Sequence, residues 1–120
     1  MKTEDIVTWQ KAKEFSNEIH KMDIENKDFE KLIREASLNI AIHISKGFER
    51  VINSEFLKHL YLAQENCSEV KTLMYKAYEL NYIDDEQKEK LFEKSEEVNK
   101  LIGGFIKHIR NKMSSNNREE

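Results

Sequence analysis

Seven apolar residues in the middle of the chain recur in steps of four and three: Phe56, Leu60, Ala63, Cys67, Val70, Met74 and Ala77. A helix packed against other helices keeps that rhythm. A strand, whose faces alternate every second residue, does not, and a loop has no reason to. The chain also has no proline and only three glycines, Gly47, Gly103 and Gly104. It therefore lacks the strongest helix breakers and the raw material of hairpin turns. Together these features predict an all-α fold, an antiparallel up-down four-helix bundle.

Around this central helix three more can be placed by the same spacing. The first runs from about Asp5 to Met22 with Trp9, Ala12, Phe15, Ile19 and Met22 on its buried face. A polar connection, Asp23–Asp28, leads to a second helix from about Phe29 to Lys46, whose stripe is Phe29, Ile33, Ala36, Ile40 and Ile44. Gly47 is placed as its C-cap, where glycine accepts the left-handed conformation. Asn53 or Ser54 is expected to cap the third helix, which reaches about Leu80. Asn81-Tyr82-Ile83 forms a tight link, and Asp84 with Gln87 reads as a capping box opening the fourth helix. That helix carries Leu91, Val98, Leu101, Ile102, Phe105, Ile106 and Ile109. Residues 1–112 form one domain on this reading, and 113–120 a disordered C-terminal tail without apolar periodicity.

Residues Leu38 to Ser45 alternate with period two and would pass as a strand. No other segment offers that strand a clear partner, and a lone strand is unstable. As a helix, the segment puts Leu38 and Ile42 on a second apolar stripe, away from Ile40 and Ile44. In a bundle this small every helix has an outer face, so Leu38 and Ile42 point to an oligomer interface.

Charge is uneven along the chain. The net charge is −3, yet residues 98–118 hold Lys100, Lys107, Arg110, Lys112 and Arg118 and no acid. Cations at a helix end complement the macrodipole; they also suit a phosphate backbone. Lys100, Lys107, Arg110 and Lys112 are the leading candidates for nucleic-acid contact, followed by Lys46 and Arg50 near the end of the second helix. No apolar run approaches the roughly 20 residues that span a bilayer. Met1–Ile6 is polar and acidic, unlike a signal peptide. The single cysteine, Cys67, sits on the apolar stripe and cannot form an internal disulfide, so a cytoplasmic location is expected.

Catalytic and metal chemistry finds little support. A di-iron bundle needs Glu-x-x-His pairs, and none of His20, His43, His59 and His108 follows a Glu by three residues. No two histidines stand four apart as zinc helices require. No glycine-rich phosphate loop occurs, since Gly103-Gly104 lies within a helical pattern and suits close helix approach or a bend. Neither metal nor cofactor is expected, and no catalytic residue. Arg34 and Glu69 fall beside their stripes and read as a structural polar pair joining helices two and three, or else as a polar binding spot. His43 reads as a boundary histidine, with a pH-sensitive contact as the sharper alternative. Trp9 and Tyr82 could stack on bases, although the stripe makes Trp9 a core anchor.

An ordered set of segments resembles a known family. Ile6-Val7-Thr8-Trp9-Gln10-Lys11-Ala12 resembles the D-L-x-V-W-x-K-A opening of bacterial four-helix-bundle proteins first named for intervening sequences of 23S ribosomal RNA genes. Leu32 to Ser37 is similar to that family's Q-I-R-R-A-A, and Ile40 to Arg50 to its I-P-x-N-I-A-E-G-x-x-R. Glu55-Phe56 is similar to its E-F, Ala63 through Thr72 to its A-x-G-S-L-x-E-L-E-T, and Ala77 to Ile83 to its A-x-x-L-G-Y-L. Ala41 stands for the family proline, His43 for its asparagine, Lys46 for its glutamate and Glu35 for its second arginine. The last change removes a positive charge from a face that RNA would meet. The fold is also similar to the accessory protein of diversity-generating retroelements, a pentameric barrel that binds a reverse transcriptase and nucleic acid. The resemblance implies a homopentameric ring and a non-catalytic adaptor associating with RNA or a reverse-transcriptase ribonucleoprotein. The alternative is a protein–protein interaction scaffold with no nucleic-acid role, which the overall acidity and Glu35 favour.

Overall fold

The computed structural model describes residues 3–119, with side chains from 7 to 115. Its helices are α1 (Thr3–His20), α2 (Lys27–Phe48), α3 (Asn53–Glu79) and α4 (Asp85–Glu119). α1 packs on α2, α2 on α3, α3 on α4, and α1 on α4, while the diagonal pairs stay apart among the described residues. With short links between sequence neighbours, this is the expected antiparallel up-down arrangement. The molecule is 56 Å long and 22 × 21 Å across. The 35 residues of α4, at about 1.5 Å of rise each, account for most of that length.

The four stripes form one core. Ala12, Phe15, Ile19 and Met22 meet Ile33, Ala36, Ile40 and Ile44, and these meet Leu60, Ala63, Cys67, Val70, Met74 and Ala77. Leu91, Val98, Ile102, Phe105, Ile106 and Ile109 of α4 close the centre. The alternating segment 38–45 is helical throughout, as part of α2. Packing of Ile40 and Ile44 against α3 decides between the two periods. Ser16 and Ser37 are also buried and share a hydrogen bond of 3.2 Å between α1 and α2.

Both links at the far end are held by their own chemistry. Between α1 and α2, Ile24 is buried and its N–H donates to Glu30 Oε2 at 2.8 Å. Asn26 caps α2, its side chain accepting from the Phe29 N–H at 3.1 Å. Between α3 and α4, Asn81 adopts a left-handed φ of 61°. The Tyr82 N–H reaches back to Ala77 O and the Asn81 N–H to Tyr78 O, a Schellman motif with asparagine in the place glycine usually takes. The predicted capping box is present: the Asp84 N–H donates to Gln87 Oε1 and the Gln87 N–H to Asp84 Oδ1.

Three local expectations need correction. Gly47 is not a left-handed cap, since no glycine has positive φ among the described residues and α2 continues through it to Phe48. Its role is close approach: a Cβ there would lie 2.7 Å from a ring carbon of Phe56. Neither Asn53 nor Ser54 caps α3; Ile52 takes that position, with no side-chain hydrogen bond. α4 does not stop at Lys112 but runs through the expected tail to Glu119, with Met113 packed against the core. Without proline or glycine beyond Gly104, each added residue extends a helix already nucleated. Glu120 lies outside the described residues.

Candidate nucleic-acid interface

The up-down topology brings the C-terminal ends of α2 and α4 to the same end of the bundle as the N-terminal ends of α1 and α3. Aromatic packing fixes their register. Phe56 of α3 stands edge-on to both Phe48 and Phe105, at 5.6 and 4.9 Å between ring centres. This cluster ties the end of α2 and the second half of α4 to the start of α3. Cations far apart in sequence are thereby gathered around one end: Lys46 and Arg50 on either side of Gly47, Lys58 on α3, and Lys107, Arg110 and Lys112 on α4.

Ion pairing is unevenly distributed over the bundle, although Lys13 and Lys88 lie over the Trp9 and Tyr78 rings, and Lys94 too has no carboxylate partner among the described residues. Away from this end, Lys21, Lys27, Lys31, Arg34, Lys76 and Lys90 each have a carboxylate partner. Among the described residues, no carboxylate lies within ion-pair distance of Lys46, Arg50, Lys58, Lys100, Lys107, Arg110 or Lys112. Arg110 instead donates from Nη1 to the Tyr61 hydroxyl at 3.3 Å, which holds its guanidinium at the α3–α4 edge. Lys100 lies further along α4 on the α1 side. It lines a groove of about 360 Å³ with Val7, Thr8, Leu101, Gly104, Phe105 and His108. The side chain of Arg118 lies outside the described residues.

Two histidines share this end with the cations. His43 of α2 and His59 of α3 stack at 5.6 Å between ring centres, with their Nδ1 atoms 3.4 Å apart. Burial lowers the pKa of each below the usual histidine value, and neighbouring charge adds to it: His59 and Lys46 act on His43, and Arg50, Lys46 and Lys58 act on His59. The close crossing at Gly47 sets this contact, because His59 Cβ lies 3.4 Å from where a Gly47 Cβ would sit. Spacing along α2 marked His43, but no periodicity could announce His59 as its partner. The missing signal is the crossing register that Gly47 permits.

Leu38 and Ile42 lie on the side of α2 that faces α1. Leu38 is 44% exposed. With Ile42, Ala41 and Trp9 it lines a second groove, of about 390 Å³, between α1 and α2. Trp9 is only half-buried, with Lys13 Nζ 4.0 Å from its ring centre, so it belongs to the groove as much as to the core. Tyr82 packs edge-on to Phe29 at the opposite end, far from the cations, and does not join them.

The structural pair Arg34–Glu69 does not form. Glu69 is exposed on α3, whereas Arg34 turns toward α1 and the α1–α2 link. Its Nη2 donates to His20 O and Met22 O at 2.9 and 3.0 Å, and its Nη1 lies 3.2 Å from Glu30 Oε1. Glu30, not singled out by the sequence, takes the role expected of Glu69. Accepting the Ile24 N–H holds the Glu30 carboxyl below its ordinary pKa, and Lys27 and Arg34 add to the effect. This network is a structural latch. Cys67 is buried, and desolvation pushes its thiol up to about 12, which disfavours the thiolate. No group of three metal-ligating side chains occurs among the described residues, and no helix there is long and apolar enough to cross a membrane.

The comparisons with known proteins agree with this architecture. A family model described as 23S rRNA-intervening sequence protein matches residues 4–104. The chain belongs to that family. The crystal structure of a protein of unknown function from the S23 ribosomal protein family of Bacteroides thetaiotaomicron is similar in fold. It shares 24% identity at a TM-score of 0.80, covering 88% of this chain and 99% of that one. No curated protein matches the chain. The family match ends at Gly104, so Lys107, Arg110 and Lys112 lie beyond it.

Proposed function

We propose that this chain is a non-catalytic, oligomeric adaptor that associates with RNA, alone or within a reverse-transcriptase ribonucleoprotein, through phosphate contacts at its cation-rich end. One observation carries the reading: among the described residues, Lys46, Arg50, Lys58, Lys107, Arg110 and Lys112 gather at that end without a carboxylate partner, whereas at the other end Lys21, Lys27, Arg34, Lys76 and Lys90 are ion-paired and Lys88 lies over the Tyr78 ring. An unpaired surface cation keeps its charge available to a phosphate, and each phosphate it neutralises releases a counterion.

The mechanism is geometric. The groove of Trp9, Leu38 and Ile42 docks a neighbouring copy, and closure into a homopentameric ring repeats the basic end around an axis. Repetition lifts weak single contacts by roughly 10²–10⁴ through effective concentration. The test is RNA binding by Lys107→Glu/Arg110→Glu across a salt series. Loss of two phosphate contacts is expected to flatten the slope of log K against log salt by about 1.4–1.8. An unchanged affinity and slope removes the assignment. Light-scattering mass of Leu38→Arg, expected to drop to that of one protomer, checks the interface separately.

A protein-docking scaffold is the second reading, favoured by the two apolar grooves that flank α1. Partner capture that is insensitive to salt, together with no RNA affinity, would select it.

A further inference from the structure

We infer that His43 and His59, with Lys46, Arg50 and Lys58 around them, form a proton-coupled site for a nucleic-acid phosphodiester, in which one anionic oxygen accepts from both imidazoles. The inference rests on the reading of this end as phosphate-binding and assigns it a specific pair of side chains and a control.

The geometry of the ring pair is the starting point. Two Nδ1 atoms 3.4 Å apart satisfy each other whenever only one of them carries a proton, and no longer do so when both carry one. If both carry protons, two N–H groups face each other and need an acceptor between them. An oxygen about 2.8 Å from each nitrogen is within ordinary hydrogen-bond reach, and both rings are only half-buried, so a phosphate can approach. Backbone packing holds the pair in place, because Gly47 lets α2 and α3 meet here.

The surrounding charge selects the ligand. The groups acting on the rings are Lys46 from α2, Arg50 from the link, and Lys58, Glu55 and Glu65 from α3. Three cations against two carboxylates favour an anion. The same cations disfavour a divalent metal, which two imidazoles at this spacing could otherwise grip. They also explain why protons and anion arrive together: burial and positive neighbours lower the proton affinity of both rings, and a phosphate oxygen opposes that effect. Folded rings bind protons less readily than unfolded ones. Stability of the free protein therefore falls as pH drops below the ordinary histidine value of 6.5 and onward through the lowered folded value. Bound anion opposes that loss.

The experiment measures binding of a fluorescent 12-nucleotide oligouridine, whose phosphodiester charge is constant from pH 5.5 to 7.5, at fixed ionic strength. Wild-type affinity is expected to rise at least tenfold from pH 7.5 to 5.5, and the His43→Asn/His59→Asn variant less than twofold, which subtracts the effect of His20 and His108. Sulfate, a dianion throughout this range, is expected to compete more strongly at pH 5.5. If sulfate binds with the same proton linkage but RNA does not, the site serves free anions and the nucleic-acid assignment falls. NMR titration of the wild-type imidazoles covers the case of a variant that does not fold: both rings should titrate at higher pH with RNA present. Wild-type binding that is independent of pH, or ring titrations that RNA leaves unmoved, overturns the proton coupling but leaves phosphate binding standing. Absence of RNA binding at either pH overturns the proposed function as well.

Discussion

Alanine at Gly47 and at Gly104 should change stability in opposite directions, although both are glycines inside helices. In a helix interior, glycine-to-alanine ordinarily gains about 1 kcal/mol, from propensity and from restricting the unfolded chain. At Gly104 no atom lies within 4 Å of the added Cβ, so the full gain is expected. At Gly47 the Cβ would meet ring carbons of Phe56 at 2.7 and 3.0 Å. That ring cannot swing away cheaply, because Phe48 and Phe105 hold it edge-on. Overpacking of this kind costs about 1–3 kcal/mol; set against the propensity gain, the net loss is about 1 kcal/mol. With 120 residues and an unfolding entropy of about 2.1 cal/mol/K per residue, 1 kcal/mol shifts the melting temperature by about 4 °C. Gly47→Ala should melt about 4 °C below the parent and Gly104→Ala about 4 °C above it. Circular dichroism melts at one protomer concentration, with urea midpoints at unchanged slope, measure the difference. If Gly47→Ala is stabilised as much as Gly104→Ala, the close crossing of α2 and α3 is refuted, and with it the placement of the histidine pair.

The latch and the buried thiol give two more expectations. Glu30→Ala should lower the melting temperature at pH 7; because the folded carboxyl sits below its ordinary 4.5, that difference should shrink as pH falls through the folded value, and an equal difference at pH 7 and pH 2.5 would show that the carboxylate is not what holds the link. Cys67, buried with its thiol near 12, should react with an aromatic disulfide reagent only as fast as the protein opens; rapid labelling of the native protein would show that α3 is not packed there as described.

The core was legible because burial and periodicity are the same physical fact seen twice. Phe15, Ile40, Val70 and Ile102 each sit where a three-and-four spacing puts them. The Asp84–Gln87 box was readable for a related reason, since both partners lie within one turn. Features that depend on how helices cross were not. Gly47 has the composition of a cap, and only its neighbour Phe56 reveals a close approach. Arg34 was correctly marked as a polar residue beside the core, but its partner lay one turn away on its own helix rather than across the bundle. The cations of 98–118 were visible as a run without acids, yet their company with Lys46, Arg50 and Lys58 follows only from the topology. Ion pairing sharpened that signal further: a lysine such as Lys21 and one such as Lys107 look alike in sequence and differ in whether a carboxylate stands beside them.

The order of packing around the bundle also has a kinetic consequence. Three of the four helix seams join sequence neighbours, and only the seam between α1 and α4 ties distant parts of the chain. Few contacts therefore wait on long loop closure, which places the chain among fast folders, in the microsecond-to-millisecond range. The α2–α3 hairpin can assemble first around Gly47 and its aromatic neighbours. α1, the shortest helix at 18 residues, is expected to dock after that hairpin. On that order, substitutions on its buried face, such as at Phe15 or Ile19, should act chiefly by hastening unfolding, and an equal slowing of folding would refute it.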